Sequence, residues 1–187
     1  MRRIVSLSTL LLLVTFMVNA QTLKVDTSAS SLKWNGKKVT GEHYGAIDLK
    51  SGSLTLKNDA ITEGNFVIDM NSMTNEDLSG ETRENLLGHL KSDDFFSVAT
   101  HPEATLKIKS STKFTNGKAS VKGDLTIKGI THPIEFEAHK NGNIYTAKIE
   151  VDRTLYNVRY GSNKFFDNLG DKAIYDIFTL DVKLHTK

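Results

Sequence analysis

A chain of 187 residues with no cysteine excludes a disulfide framework, a thiolate nucleophile and a cysteine-borne lipid anchor. Its 24 Lys and Arg nearly balance 22 Asp and Glu, and the charges are interspersed, which excludes the basic stripe of a nucleic-acid-binding protein. The length suits one domain, large enough to bury roughly 70% of the surface of its unfolded chain.

Met1-Arg2-Arg3 places positive charge ahead of an apolar run from Ile4 to Val18, and Val18-Asn19-Ala20 closes it with small residues. That order reads as a secretory signal peptide cleaved after Ala20, leaving residues 21–187 as one exported domain. The run is short of the roughly 20 residues of a membrane span, and no second apolar stretch follows it. Without Arg2 and Arg3 the basic residues fall by two and match the acidic ones.

The rest of the chain alternates. Asn35-Gly36 is a hairpin signal, because both residues tolerate positive φ. Strand-like runs follow at Ala46 to Lys50, Ser53 to Asn58 and Phe66 to Met70, with Ser51-Gly52 and Glu63-Gly64 read as the breaks between them. Ser79 to Lys91 then changes period: Leu86, Leu87 and Leu90 share a helical face, and Thr82 is the expected cap. Asp93-Asp94-Phe95-Phe96 follows, so this short helix is placed to cover one mouth of a barrel.

Period-2 alternation returns in Leu106/Ile108, Val121/Gly123/Leu125/Ile127, Ile134/Phe136/Ala138, Ala147/Ile149/Val151 and Phe178/Leu180/Val182/Leu184. Such patterns mean strands with one face on a core and one face wet. Asn116-Gly117 and Asn141-Gly142 supply two more hairpins. Asn157 to Lys172 is long for a plain loop and holds Phe165, Phe166 and Leu169, so it is expected to pack on something. Eight to ten short strands joined by hairpins make an all-β antiparallel barrel or sandwich.

Chemistry is scarce. His43, His89, His101, His132, His139 and His185 form none of the spacings that hold a metal, and no Cys supplements them. There is no Gly-x-Ser-x-Gly elbow and no phosphate loop. Asp93-Asp94 is a carboxylate pair, but neighbours in sequence point apart, and one of the two is expected to cap a turn. What remains is an apolar interior, which is either a filled core or a tunnel for a slender lipid. No catalytic residue, metal or cofactor is expected.

Particular residues carry a resemblance: Trp34-Asn35-Gly36-Lys37, Gly41-Glu42-His43-Tyr44-Gly45, and Gly64-Asn65-Phe66-Val67-Ile68-Asp69-Met70 with Asn71-Ser72-Met73. His89-Leu90-Lys91-Ser92-Asp93-Asp94-Phe95-Phe96 and His101-Pro102-Glu103-Ala104-Thr105 follow. The series ends with Val121 to Thr131 and Asp152-Arg153. In this order and spacing, over Leu23 to Leu184, the chain resembles the YceI-like family. The resemblance implies an eight-stranded, lipocalin-like antiparallel barrel with a hydrophobic tunnel. It also implies binding of a polyisoprenoid chain, such as a quinone tail or an isoprenoid carrier, a periplasmic location, and a homodimer. Two features depart from it: Leu155-Tyr156-Asn157 stands where many members carry Phe-Gly, and Arg159 to Asp176 is longer than the usual connection.

Roles follow residue by residue. Phe66, Ile68 and Met70 share a strand face and are expected inside. Leu106, Ile108, Leu125, Ile127, Ile134, Phe136, Ile149, Val151, Leu180 and Val182 are expected with them, as core or as ligand contacts. Leu86, Leu90, Phe95 and Phe96 form a lid or a docked helix. Trp34 anchors the wall. His43, Asp69, His89 and Arg153 are matched polar positions that bind either one another or a ligand head group. The leading reading is an isoprenoid-lipid binder for transport, storage or stress protection. Its alternatives are an enzyme acting on a small hydrophobic or lipid substrate, with His43 or His89 as the titratable group, and a filled structural barrel.

Overall fold

The computed structural model describes residues 20–187; the expected signal peptide lies almost entirely outside them. Eight strands run in chain order: β1 Gln21–Lys38, β2 Gly41–Lys57, β3 Ala60–Asp69, β4 Glu103–Ser111, β5 Lys118–Ile127, β6 Ile130–Asn141, β7 Ile144–Asp152 and β8 Ile174–Thr186. Each pairs antiparallel with the next, and β8 returns to β1, with Trp34 opposite Leu180, closing an eight-stranded barrel. Closure leaves no free edge. One helix, α1 (Gly80–Lys91), lies between β3 and β4.

The alternating residues do what period two requires. Val121, Leu125 and Ile127 are buried on β5, as are Ile149 and Val151 on β7, while Lys122, Glu135 and Glu137 face water. Hairpins form where positive φ is available: Asn58-Asp59, Asn116-Gly117 and Lys128-Gly129 all adopt it.

Four local expectations are corrected. Asn35-Gly36 lies inside β1, and the β1–β2 turn falls at Val39 and Thr40 instead. Ser51-Gly52 and Glu63-Gly64 are not breaks but parts of β2 and β3. A Cβ on Gly52 would stand 3.0 Å from the Phe66 ring and 3.1 Å from Val25. One on Gly64 would stand 3.0 Å from Leu54. These glycines make room inside a strand rather than turn it. The helix is preceded by Ser79, not capped by Thr82, which sits in its first turn. Phe165 and Phe166 do not pack inward; they are 43% and 48% exposed, and the segment is held by buried Val158 and Ser162.

Candidate functional site

The barrel interior holds two apolar cavities stacked along its axis. The larger, about 150 Å³, lies under the helix and is walled by both barrel and lid. The smaller, about 70 Å³, sits deeper, between residues such as Leu54, Ile61, Ile108, Val121, Tyr145 and Leu184. Ile68 from β3, Leu125 from β5 and Leu180 from β8 line both. These three side chains form the waist that separates them.

The lid is built locally. After α1 the chain reverses through Phe95 N–H to Ser92 O, Phe96 N–H to Leu90 O and Val98 N–H to Lys91 O, each about 3 Å. That turn swings Phe95 and Phe96 beneath the helix, beside Leu86 and Leu90, onto the larger cavity. Their rings join a chain of edge-to-face contacts: His89 to Phe95 at 5.4 Å, Phe95 to Phe96 at 5.4 Å, and Phe96 to Phe178 at 6.2 Å. Such geometry aligns ring edges with ring faces.

Most of the residues singled out from the sequence meet at this lumen. Ile68, Met70, Leu86, Leu90, Phe95, Phe96, Leu125, Ile127 and Leu180 line the larger cavity, as do Trp34, His43, His89 and Arg153. Phe66, Leu106, Ile108, Ile134, Phe136, Ile149 and Val182 line the smaller one. Two do not join them. Val151 is 2% exposed but lines neither cavity, so it is plain core. Asp69 lies apart from the lumen: flanked by inward-facing Ile68 and Met70, it takes the opposite side of the strand, in the structural rather than the head-group role. There its carboxylate accepts the Asn71 N–H at 2.9 Å and caps a short 3₁₀ turn.

The polar groups at the larger cavity have distinct partners. Trp34 Nε1 donates to Thr74 O at 2.9 Å. His43 Nδ1 lies 2.7 Å from Asp77, whose carboxylate also accepts the Tyr44 N–H and the Asn75 amide. Burial raises the Asp77 pKa, but these hydrogen bonds outweigh it and leave the carboxyl below its ordinary value. Thr74 and Glu76 N–H groups bond to Ala46 O and Tyr44 O, so residues 74–76 take over beside β2 where β3 ends. Asn75 and Asp77 were missed from the sequence, because a loop that continues a sheet edge has no periodicity to read.

Arg153 is the most committed group. It is 2% exposed, and burial pushes its pKa down from the usual guanidinium value, opposed by Asp176 and Asp152. Nε donates to Tyr175 O, Nη1 to Val158 O and Tyr160 O, and Nη2 to Ile174 O, all at 2.8–3.1 Å. Asp176 stands 3.6 Å from Nη2. This side chain therefore ties the first arm of the long 157–173 connection to the start of β8 at the barrel end. Tyr156 is buried beside it, its hydroxyl pKa pushed up to about 12 by burial, and Asn157 takes a left-handed φ of 58°. Tyr156-Asn157 thus performs here what an aromatic-glycine pair would, since Asn tolerates that conformation.

Among the described residues no three His, Asp or Glu side chains gather as metal ligands, and no helix is long and apolar enough to cross a membrane.

The fold has known counterparts. It superposes on BcnA of Burkholderia cenocepacia with a TM-score of 0.63 at 19% identity, over 86% of this chain and 98% of that one. A polyisoprenoid-binding domain from Saccharophagus degradans gives 0.59 at 17% identity, over 88% and 97%. In sequence, a UPF0312 protein of Vibrio campbellii is 33% identical over 129 residues, 66% of this chain and 65% of that protein. The chain spans about half the length of the curated relatives it matches. The YceI-like domain matches residues 23–186, from within β1 to the end of β8, and the chain belongs to that family.

Proposed function

We propose that this barrel binds the hydrocarbon chain of an isoprenoid lipid in its lumen and performs no chemistry on it. The observation that carries the reading is the pair of apolar cavities beneath an aromatic lid, with three aliphatic side chains lining both. A filled structural barrel would not keep such space, because interiors normally pack with few voids larger than a water molecule. A cavity near 150 Å³ is the size that accepts a benzene ring when engineered into another protein. As shaped, the larger cavity takes a ring or a short length of chain. A longer tail requires Ile68, Leu125 and Leu180 to change rotamer and join the two spaces. Each buried CH₂ contributes about 0.8 kcal/mol, so binding needs few polar contacts. The similar Saccharophagus degradans domain, itself polyisoprenoid-binding, supports the same ligand class.

Of the two titratable groups the enzyme alternative would use, His43 is held by Asp77 at 2.7 Å, and His89 packs edge-on against Phe95 and Tyr160 beside an apolar cavity, so the structure favours binding over chemistry. The signal-peptide reading of residues 1–20 supports export to the periplasm. Self-association belongs to the same reading as an expectation from family resemblance.

Ala104 tests it. This buried residue on β4 lines the larger cavity, so Ala104→Phe puts bulk into the void. We expect a folding-stability loss of no more than about 3 kcal/mol in urea titrations, while uptake of a long-chain quinone is lost. Unchanged uptake in a folded variant would overturn the assignment of the lumen as the binding site.

A further inference from the structure

Among the described residues, the exposed large apolar side chains gather at one end of the barrel. Val39 and Tyr44 belong to the β1–β2 hairpin, and Leu155 to the short turn after β7. Tyr160, Phe165 and Phe166 stand on the 157–173 connection, and Tyr175 and Ile177 open β8; all eight are 42–53% exposed. The antiparallel order puts every one of these elements at the end that α1 covers. The opposite end, with its turns at Asn58-Asp59, Asn116-Gly117 and Gly142, carries none. Along β8 the outer wall itself changes: Asp181 and Lys183 face water, and Ile177 and Tyr175 take the same outward positions nearer the lid. Exposed apolar surface collected in this way marks a contact site.

We propose that this rim is a docking surface for the face of a phospholipid bilayer, with Phe165 and Phe166 entering the headgroup layer. The choice of a bilayer over a protein rests on the lipid-binding reading, because a ligand with a hydrocarbon tail resides in membranes. The rim is continuous with the lumen: Tyr175 and Lys38 line the larger cavity, and the Tyr160 ring lies 4.4 Å from His89 of α1. The side chains come from separate elements set around a mouth, and a cation precedes the apolar residue in Lys38-Val39, Arg159-Tyr160 and Lys164-Phe165-Phe166. The Arg159 guanidinium rests on the Phe165 ring at 4.8 Å. Aromatic bodies beside long cationic side chains suit the membrane interface, where the ring is immersed and the charge stays among phosphates. Over residues 37–44 and 155–172, Lys37, Lys38, Arg159, Lys164 and Lys172 outnumber Glu42, Asp167 and Asp171. Asp152 holds Lys164 at 2.8 Å, and α1 adds exposed Glu81 and Glu84, so charge assists little and the apolar side chains carry the contact.

The experiment uses residues 20–187, which hold the closed barrel entire, so that the apolar run Ile4 to Val18 takes no part. Flotation with vesicles of phosphatidylethanolamine and a minority of phosphatidylglycerol is expected to carry the protein upward. Phe165→Ser with Phe166→Ser should lower its partition at least about tenfold, through two aromatic side chains no longer buried in lipid. Both rings are exposed, so uptake of decylubiquinone from solution should stay within about twofold. The chain has no cysteine, which makes single labels specific. A nitrobenzoxadiazole label on Asn163→Cys should shift to the blue on adding vesicles, and one on Thr115→Cys, at the opposite end, should not. A protein that stays in the buffer, a double variant that floats as wild type does, or equal shifts at both labels would overturn the docking surface. A dimer that the double substitution dissociates, with no flotation, would assign the rim to a second copy and also overturn it. Flotation without any uptake of decylubiquinone would keep the docking surface and overturn the lipid-binding reading instead.

Discussion

Replacing Arg153 with methionine should destabilise the barrel by about 3–5 kcal/mol and release the 157–173 connection from its end. Methionine matches the length and apolar body of the side chain but leaves four inward-facing carbonyls, from Val158, Tyr160, Ile174 and Tyr175, without their donor. It also leaves the Asp176 carboxylate with only Lys164 nearby, at 3.8 Å. Breaking a buried charge network by removing one partner costs this much because the remaining groups stay desolvated. Arg153→Lys should rescue little, since an ammonium on one stem cannot address carbonyls of both the connection and β8 at once. Urea unfolding measures the loss. Hydrogen exchange locates it, with amides such as Ile174, bonded to Gly161 O at 2.8 Å, expected to lose protection first. A loss below about 1 kcal/mol would show that the loop is held by its other contacts.

Gly45→Ala should be nearly as damaging, about 2–4 kcal/mol, from one methyl group. Gly45 lies opposite Trp34 on β1. A Cβ there would stand 2.0 Å from Thr74 O, 2.7 Å from Thr74 C and 2.9 Å from Asn75 Cα. All three are backbone atoms, so no side-chain rotation relieves the clash. The 74–76 segment must move off β2, losing the Thr74 N–H to Ala46 O and Glu76 N–H to Tyr44 O bonds. The Trp34 Nε1 bond to Thr74 O goes with them. At about 1 kcal/mol for each hydrogen bond, the estimate follows. The fluorescence of Trp34, the only tryptophan, reports the displacement directly. An unchanged spectrum together with an unchanged urea midpoint would contradict it.

These two positions show what a single sequence reveals. Strands β4 to β8 are legible because their apolar residues recur every second position, and the covering helix is legible because Leu86, Leu87 and Leu90 break that period. The glycines are harder. Gly52 and Gly64 look like turn residues, yet they answer to Val25, Phe66, Leu54 and Ile108, contacts that lie far along the chain. A glycine needed for positive φ and one needed for close approach are identical in sequence, and only tertiary contact separates them.

The candidate site divides the same way. The inward-facing aliphatics are placed by alternation alone. Asp69 stood in the same matched motif as Ile68 and Met70, but a strand turns adjacent residues to opposite faces, and motif membership hid that. Asn75 and Asp77 complete the His43 contact from a loop with no repeating pattern. The waist at Ile68, Leu125 and Leu180 is a property of three strands at once, so no stretch of one strand contains it. Phe165 and Phe166 carried an apolar signal that suggested packing. Instead Phe165 lies under the Arg159 guanidinium at 4.8 Å, on the solvent side.

Native mass spectrometry of the full chain, expressed in a Gram-negative host and purified without detergent, tests lipid binding most directly. Binding in the lumen predicts a mass excess of one isoprenoid lipid per chain that organic extraction removes and fragmentation identifies. A protein at the bare mass of its polypeptide that gains nothing on incubation with a long-chain quinone would contradict it.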